Sequence, residues 1–272
     1  RELFQPRPGN RLIEWDYKGI EVVVSACINR DPALLTYVKD KTRDMHRDQA
    51  LLLFERSREE YDALPKDLAK QERYLAKNGF VFAEFYGDYW KKITPNIWYR
   101  LPEATTEHLR DRGYKTLKQY ANHVREVEED FWSRRFPVYN EWKEQSWIDY
   151  KRRGYVDLVT GFRCYGPLSR NQVTNLPIQG PAFHCLLWTL IQAEQEMAIH
   201  VPERTMLVGQ IHDAALGDVH PDDEALMDNI MRKWGTEMIR EQWEWISVPL
   251  TMEKSRSEVN GNWMDLEDCG PV

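Results

Sequence analysis

The order of strand-like and helix-like segments along the chain limits its fold class more than any other feature of the sequence. Apolar, β-branched runs lie near both ends, at residues 12–25, 207–219 and 248–253, and are typical of β-strands. Residues 31–153 between them mostly show the apolar spacing of helices. Strands at both ends of a helical middle predict an α+β fold, in which one sheet carries a helical insertion.

Capping and turn residues set the bounds of the predicted elements. Asp31-Pro32 supplies an N-cap and a first-turn proline for a helix that ends near Lys39. The other predicted elements are helices at 44–54, 66–89 (interrupted at Gly79), 106–153 (broken at Phe136-Pro137), 181–200 and 222–245, a strand pair within 12–25, hairpins at 155–165 and around Asp213, and a last strand at 248–253.

Composition excludes several classes of protein. The four cysteines show no CxxC spacing, which disfavours structural zinc and favours a reduced, cytoplasmic environment. No apolar run is long enough to span a bilayer, and no signal-peptide pattern is present, so no membrane partner is expected. The net charge of -7 disfavours non-specific wrapping of nucleic acid. Basic residues nevertheless concentrate between His108 and Arg153, where the alternative is a solvated helical face.

Two aspartates are set among apolar, strand-forming residues: Asp16 in LIEWDYKGIEVVV and Asp213 in QIHDAALGDV. A carboxylate in such a setting is costly to desolvate unless a cation or strong donors meet it. On adjacent strands the two acids would repel unless divalent ions bridged them, and oxygen ligands favour Mg²⁺. Two ions roughly 3.5–4 Å apart suit in-line displacement at phosphorus. The alternative is that both acids are turn residues bonded to backbone amides.

A cationic pair precedes a group of aromatic residues in QERYLAKNGFVFAEFYGDYW. Arg73 and Lys77 are spaced i,i+4, so a helix projects both from one face. With the aromatic residues beside them they predict a triphosphate clamp with a stacking surface. The alternative is a solvated cationic face followed by core aromatics.

These segments together resemble the motifs of family A DNA polymerases. DYKGIE resembles motif A (DYSQIE), RYLAKNGFVFAEFYG resembles motif B (R-x3-K-x3-F-G-x2-Y-G), and QIHDA resembles motif C (VHDE). The segments DPALLTYVKDKTRDMHRDQA, RRGYVDLVTGFRCYGP and NLPIQGPA resemble further family segments in the same order. The resemblance covers nearly the whole chain, and motif B is similar to that of the phage-encoded branch.

The resemblance implies an α+β polymerase right-hand palm, an antiparallel sheet with a helical fingers insertion and the thumb absent. Residues 1–45 would form palm with motif A, 46–135 the fingers with motif B, and 136–272 palm with motif C and the C-terminal strand. Primer-template DNA and dNTPs are the implied partners. A separate chain or N-terminal region would supply the thumb and a 3′–5′ exonuclease.

By the same resemblance, Asp16 and Asp213 are catalytic carboxylates that hold two Mg²⁺ ions, with Mn²⁺ able to substitute, and the Tyr17 carbonyl is a further ligand. Glu21 matches the glutamate that crowds the sugar 2′ position and so favours deoxynucleotides. Strand alternation puts Glu21 on the opposite parity to Asp16, so a bend or bulge is expected between them.

The resemblance also assigns the nucleotide-binding and DNA-binding residues. Arg73 and Lys77 match the triphosphate-binding pair, with Lys77 also the general acid for departing pyrophosphate. The remaining assignments are His46 to the triphosphate, Tyr86 beside the templating base, and Asn175, Gln179 and His212 to DNA. Amides such as these can sense base-pair shape in the minor groove without reading sequence.

The sequence departs from the family pattern in each motif. Ala214 stands where motif C usually has a glutamate, and Lys18-Gly19 stands where motif A has Ser-Gln. In motif B, counting from Lys77 puts Val81 at the base-stacking position, whereas counting back from Tyr86 puts Phe82 there. We favour Phe82, with one inserted residue near Asn78-Gly79 absorbed as a π-bulge and Phe80 as the alternative stacking residue.

The function expected from the motif set is template-directed DNA polymerase activity, adding deoxynucleotides to a primer 3′ end with release of pyrophosphate. A single-subunit RNA polymerase is one alternative, and Glu21 argues against it. A non-catalytic palm that serves as a DNA-binding or assembly subunit of a split polymerase is the other. Ala214 favours this second alternative, whereas the retained Asp16 and Asp213 argue against it.

Overall fold

A five-stranded antiparallel sheet is the central element of the computed structural model, which describes residues 1–272. Its strand order is β4-β5-β1-β6-β7, and β2 and β3 form a separate two-stranded hairpin. The strand bounds are β1 (Arg11–Tyr17), β2 (Tyr155–Asp157), β3 (Arg163–Tyr165), β4 (Met206–Ile211), β5 (Ala214–Val219), β6 (Met252–Arg256) and β7 (Glu267–Pro271). One antiparallel sheet with a long helical stretch between β1 and β2 confirms the predicted α+β class.

Most of the remaining chain is helical. The α-helices are α1 (Ile20–Asn29), α2 (Pro32–Lys39), α3 (Met45–Leu53), α4 (Arg58–Asp62), α5 (Lys66–Leu75), α6 (Phe82–Phe85), α7 (Trp90–Trp98), α8 (Glu103–Asp111), α9 (Leu117–Asp130), α10 (Pro137–Arg153), α11 (Arg170–His200), α12 (Glu224–Arg232) and α13 (Ile239–Gln242). π-Helical segments span Ala76–Val81, Phe131–Arg135 and Lys233–Met238. None of the helices combines the length and the apolar character that a membrane span requires.

The chain divides into two compact units. The first comprises Arg1–Ile28, Val156–Cys164 and Leu176–Val272 and contains the five-stranded sheet; the second comprises Asn29–Tyr155 and Tyr165–Asn175. In the first unit, Trp15 on β1 is fully buried, and a Cβ on the neighbouring Gly217 would lie 2.8 Å from its ring. In the second, Phe131 makes edge contacts with Phe80 and Phe136 at the centre of an aromatic core.

The predicted strand that follows Asp16 is wrong, because Ile20–Asn29 is helix α1. Gly19 has φ 58°, a left-handed conformation that ends the strand and turns the chain. The spacing of Ile20, Val24 and Cys27, all buried, then matches one face of a helix. Burial of that face outweighs the strand preference of the β-branched residues, because helix and strand propensities are weak relative to tertiary packing.

Two further predictions differ from the structure in extent. Helix α11 begins at Arg170, eleven residues before the predicted start, and includes Pro177 and Pro181. The last predicted strand is displaced to β6 (Met252–Arg256), and β7 was not predicted. The expected N-cap of α2 is confirmed, since the Asp31 side chain accepts backbone N–H groups of the first turn, and Asp44 caps α3 in the same way.

The region of motif B runs without interruption through Gly79. Helix α5 continues into the π-helical segment Ala76–Val81 and then into α6. The predicted π-bulge is therefore confirmed, whereas the one-residue insertion relative to the family stays a prediction. Gly79 faces Ile97. A Cβ added at Gly79 would lie 3.0 Å from Ile97 Cγ1, so a side chain at position 79 would crowd this packed neighbour.

Candidate active site

Asp16 lies on β1, and Asp213 lies in the turn that leads into the neighbouring strand β5. Asp16 on β1 is directly opposite Ala214, the first residue of β5. The N–H of Tyr17 donates to the Asp213 carbonyl across 3.2 Å. Both aspartates are half-buried. The sheet thus brings together two acids that lie at opposite ends of the sequence.

A strained turn fixes the position of Asp213. His212 and Asp213 form the two-residue connection between the paired residues Ile211 and Ala214. His212 is exposed and has φ 55°, a conformation that is uncommon for residues other than glycine. A strained conformation of this kind persists only where the surrounding structure stabilises it. Here the pairing of β4 with β5 on both sides of the turn does so. The turn therefore holds Asp213 immediately before β5.

The oxygen donors around Asp16 and Asp213 fit a hard divalent cation. Carboxylate and backbone carbonyl oxygens are the ligands that Mg²⁺ prefers. No group of three or more His, Cys, Asp or Glu side chains forms a metal cluster in the structure. A cation site here would have two carboxylates, and backbone carbonyls and water would complete the coordination.

Tyr17 anchors β1 through its side chain. Its hydroxyl donates to the Gly235 carbonyl across 2.7 Å and lies 3.0 Å from Thr189 Oγ1, and the side chain is fully buried. Burial raises the pKa of Tyr17 well above its usual range. Successive side chains on a strand point to opposite faces, so Tyr17 holds the strand from the face opposite to Asp16. Its carbonyl is thereby part of a fixed backbone.

Glu21 lies in the first turn of α1 and is half-buried. The turn at Lys18-Gly19 supplies the bend that was expected between Asp16 and Glu21. The negative charge of Glu21 is favourable at this position, because the N-terminus of a helix carries a partial positive charge.

In the second unit, the predicted nucleotide-binding residues lie on α3, α5, the π-helical segment and α6 with its C-cap; they are His46, Arg73, Lys77, Phe82 and Tyr86. Lys77 Nζ lies 5.3 Å from the ring centre of Phe82, and the His46 ring meets the Phe82 ring edge-on at 5.7 Å. Phe82 N–H donates to the Lys77 carbonyl five residues earlier, which is the π-helical hydrogen bond. The π-helical turn thus places Lys77 and Phe82 side by side.

Arg73 is held by a residue that sequence reasoning missed. Its Nε donates to Asp44 Oδ2 across 2.6 Å, while Oδ1 of the same carboxylate caps α3. The Arg73 pair and the hydrogen bonds at the cap hold the pKa of Asp44 below its usual value, although burial acts in the opposite direction. The signal in the sequence was the position of Asp44 as an N-cap two residues before His46.

His46 is a neutral donor or acceptor at physiological pH. Burial, together with the positive charges of Arg73 and Lys77, lowers the pKa of His46 to about 4. Its Nδ1 atom is buried without a hydrogen-bond partner. A neutral imidazole beside two cations avoids a third positive charge in this cluster.

Phe80 and Phe82 lie in different environments. Phe80 is fully buried against Phe131 in the aromatic core. Phe82 is half-buried beside Lys77 and contacts Tyr86, whose ring centre lies 6.4 Å away and whose side chain is exposed. The geometry therefore places Phe82, rather than Phe80, among the nucleotide-binding candidates.

Asn175 contacts the end of the motif B helix. Its Nδ2 donates to the Tyr86 carbonyl across 3.1 Å. One turn earlier on α11, the Asn171 Nδ2 donates to the Gly87 carbonyl. Gly87 has φ 86°, and an added Cβ at this position would lie 2.6 Å from Asn171 Oδ1. Asn171 was missed by the sequence reasoning. Gln179, one turn after Asn175 on α11, is exposed in the first unit.

A family model described as DNA polymerase family A matches residues 1–265. The chain belongs to DNA polymerase family A. It is 24% identical to DNA polymerase I of Aquifex aeolicus (strain VF5) over 97% of this chain and 41% of that protein. It is also 24% identical to the thermostable DNA polymerase I of Thermus aquaticus, over 81% of this chain and 26% of that protein.

The fold matches a solved structure of the same class. The POL domain of Pol1 from M. smegmatis, solved in complex with DNA primer-template and dNTP, superimposes with a TM-score of 0.69 at 19% identity. The match covers 96% of this chain and 41% of that chain. This family A chain therefore spans less than half the length of the relatives it matches.

Proposed function

We propose that this chain is the catalytic palm and fingers of a template-directed DNA polymerase. The observation that carries the proposal is the position of Asp213 beside Asp16 in a family A chain: Asp213 directly precedes β5, whose first residue is paired with Asp16. As part of the proposal, we assign residues 1–45 and 136–272 to the palm and 46–135 to the fingers. The phage-type assignment and a partner or N-terminal region with thumb and exonuclease stay predictions of the sequence.

The proposed reaction is attack of the primer 3′ oxygen on the α-phosphorus of a dNTP. The new O–P bond forms as the bond from the α-phosphorus to the bridging oxygen breaks, the proton of the 3′ hydroxyl passes to water, and pyrophosphate leaves with the electron pair of the broken O–P bond. Asp16 and Asp213, with the Tyr17 carbonyl, would hold two Mg²⁺ ions. When bound, such ions supply activation of the attacking oxygen and neutralisation of charge on the leaving group.

The chain's own side chains carry the remaining steps. Arg73 would exchange Asp44 for the triphosphate, a stronger acceptor for its guanidinium. Lys77 would bind the same triphosphate and donate its proton to the departing pyrophosphate. Neutral His46 would add a hydrogen bond. The face of Phe82 would support the incoming base, while Tyr86 lies beside the templating base.

Glu21, Asn175, Gln179 and His212 complete the proposal. Glu21, in the first turn of α1, would crowd the sugar 2′ position and so exclude ribonucleotides. Asn175 and Gln179 would contact the primer-template near its terminus, and His212 would contact the primer strand from its turn. Asn175 must then release the Tyr86 carbonyl, which its amide holds in this structure.

Primer extension on a short primer-template with Mg²⁺ tests the proposal. Extension with dNTPs that is lost in both Asp16→Ala and Asp213→Ala proteins would support it, and Glu21→Ala should admit rNTPs. Extension with rNTPs by the wild type would indicate an RNA polymerase. Tight DNA binding by a folded protein that extends no primer would indicate the non-catalytic palm, which Ala214 favours.

A further inference from the structure

The residues opposite Asp16 on its two neighbouring strands differ in charge. Ala214 on β5 is opposite Asp16 on one side, and Glu253 on β6 is opposite it on the other. Directly opposed residues of antiparallel strands share a face of the sheet, with Cβ atoms about 4.5–5.5 Å apart. Asp16 therefore has a small apolar neighbour on one side and a second carboxylate on the other.

Lys18 pairs with Glu253. Its Nζ lies 2.5 Å from Glu253 Oε1, and its N–H donates to the Thr251 carbonyl across 2.9 Å. Both the backbone and the side chain of Lys18 are thus attached to the segment that leads into β6. The two side chains are 65% and 39% exposed. An exposed pair of this kind contributes little to folding stability.

The ion pair determines where a positive charge lies near Asp16. Lys18 follows Asp16 by two residues, and its ammonium group is at the end of a flexible stem. Without an acceptor on β6, that ammonium would be attracted to the nearby aspartate. A cation there would repel a divalent ion and compete with it for the carboxylate.

We propose that Glu253 is a positioning residue that acts through Lys18: it holds the ammonium group on the β6 side, so that Lys18 does not compete with a divalent cation for Asp16. This inference rests on the proposed function, since it concerns the cation site of the polymerase. The alternative is that Glu253 attracts the cation directly as a further carboxylate. The two differ in whether Lys18 is required for the effect.

Mn²⁺ binding without DNA or nucleotide tests the inference, with free Mn²⁺ measured by electron paramagnetic resonance. Wild type, Glu253→Gln, Lys18→Ser and the double variant form a mutant cycle. Glu253→Gln should weaken Mn²⁺ binding roughly threefold to tenfold. Lys18→Ser should bind Mn²⁺ at least as tightly as wild type, and the double variant should match Lys18→Ser within about twofold.

Asp88→Asn is the matched control. It breaks the Lys92–Asp88 pair, whose side chains are 64% and 41% exposed, in the second unit. Mn²⁺ affinity should not change in this variant. Thermal unfolding of each protein excludes a loss of folding as the cause of weaker binding.

Two results would overturn the inference. A double variant as weak as Glu253→Gln alone would mean that Glu253 acts on the cation directly. Unchanged Mn²⁺ binding in Glu253→Gln would mean that the pair has no influence on the site. In both cases Asp16→Ala and Asp213→Ala should still abolish binding. If these two variants bind Mn²⁺ as wild type does, the proposed function fails together with the inference.

Discussion

Arg73 donates to Asp44 across 2.6 Å, so the cation proposed to bind the triphosphate is already paired with a carboxylate. The side chains are 43% and 29% exposed. Binding of a triphosphate by Arg73 requires that this pair opens. The carboxylate that caps α3 therefore competes with the substrate for the same guanidinium group.

Asp44→Asn should lower the KM for dNTP by up to about fivefold, because a partly exposed ion pair contributes about 0.2–1 kcal/mol. Asparagine is as good an N-cap as aspartate, so α3 should keep its start. Steady-state primer extension at varied dNTP concentration measures the change. Asp40→Asn, which breaks the exposed Arg43–Asp40 pair, is the control. A raised KM would show instead that Asp44 positions Arg73 for binding.

Deletion of Asn78 should convert the π-helical segment Ala76–Val81 into regular α-helix. Phe82 would then be rotated by roughly 100° relative to Lys77, because each residue of an α-helix turns by that angle. We expect kcat/KM to fall on the order of 10²-fold, since the triphosphate and base contacts would no longer coincide. Asn78→Ala keeps the register and should be close to wild type. A folded deletion variant with unchanged kcat/KM, as judged by circular dichroism and primer extension, would contradict the prediction.

The raised pKa of Glu84 predicts that the stability of the fold depends on pH. Burial, reinforced by the nearby charge of Glu128, raises the pKa of Glu84 to about 8, while its Oε2 accepts from Trp132 Nε1. Between pH 4.5 and 8 the folded protein keeps a proton that the unfolded chain releases. The free energy of unfolding therefore falls as pH rises through this window.

Glu84→Gln should remove this pH-dependent fall in the free energy of unfolding. The Tm of the variant should therefore decrease less than that of wild type between pH 5 and pH 8. Burial also lowers the pKa of Lys143 to about 8, but Lys143 is present in both proteins. Thermal unfolding at several pH values measures the difference. Parallel Tm curves for the two proteins would rule out a protonated Glu84 at neutral pH.

Tyr17→Phe should lower the free energy of unfolding by about 1–3 kcal/mol, because it leaves the buried Gly235 carbonyl without its donor. The proposed ligand at this position is the backbone carbonyl, so Mn²⁺ affinity should stay within about twofold of wild type once the protein is folded. Denaturant unfolding and Mn²⁺ titration separate these effects. A folded variant that loses Mn²⁺ would show that the hydroxyl orders the cation site.

Several features of the structure follow from the sequence alone. The N-caps Asp31 and Asp44 and the hairpins at 155–165 and around Asp213 depend on neighbouring residues, and local turn and capping chemistry is sufficient to specify them. The π-helical segment Ala76–Val81 could also be predicted, because motif B contains one residue more than its spacing allows.

Tertiary structure decided the rest. Residues 20–29 form a helix despite their β-branched side chains, because Ile20 and Val24 bury one helical face. The contacts of Arg73 with Asp44 and of Asn175 with the Tyr86 carbonyl join residues far apart in the chain. The sequence determined which residues are available for the chemistry, through motif order and spacing. Their actual partners depend on sheet register and helix packing, whose free energies are set by burial across the fold and are not encoded in any local pattern.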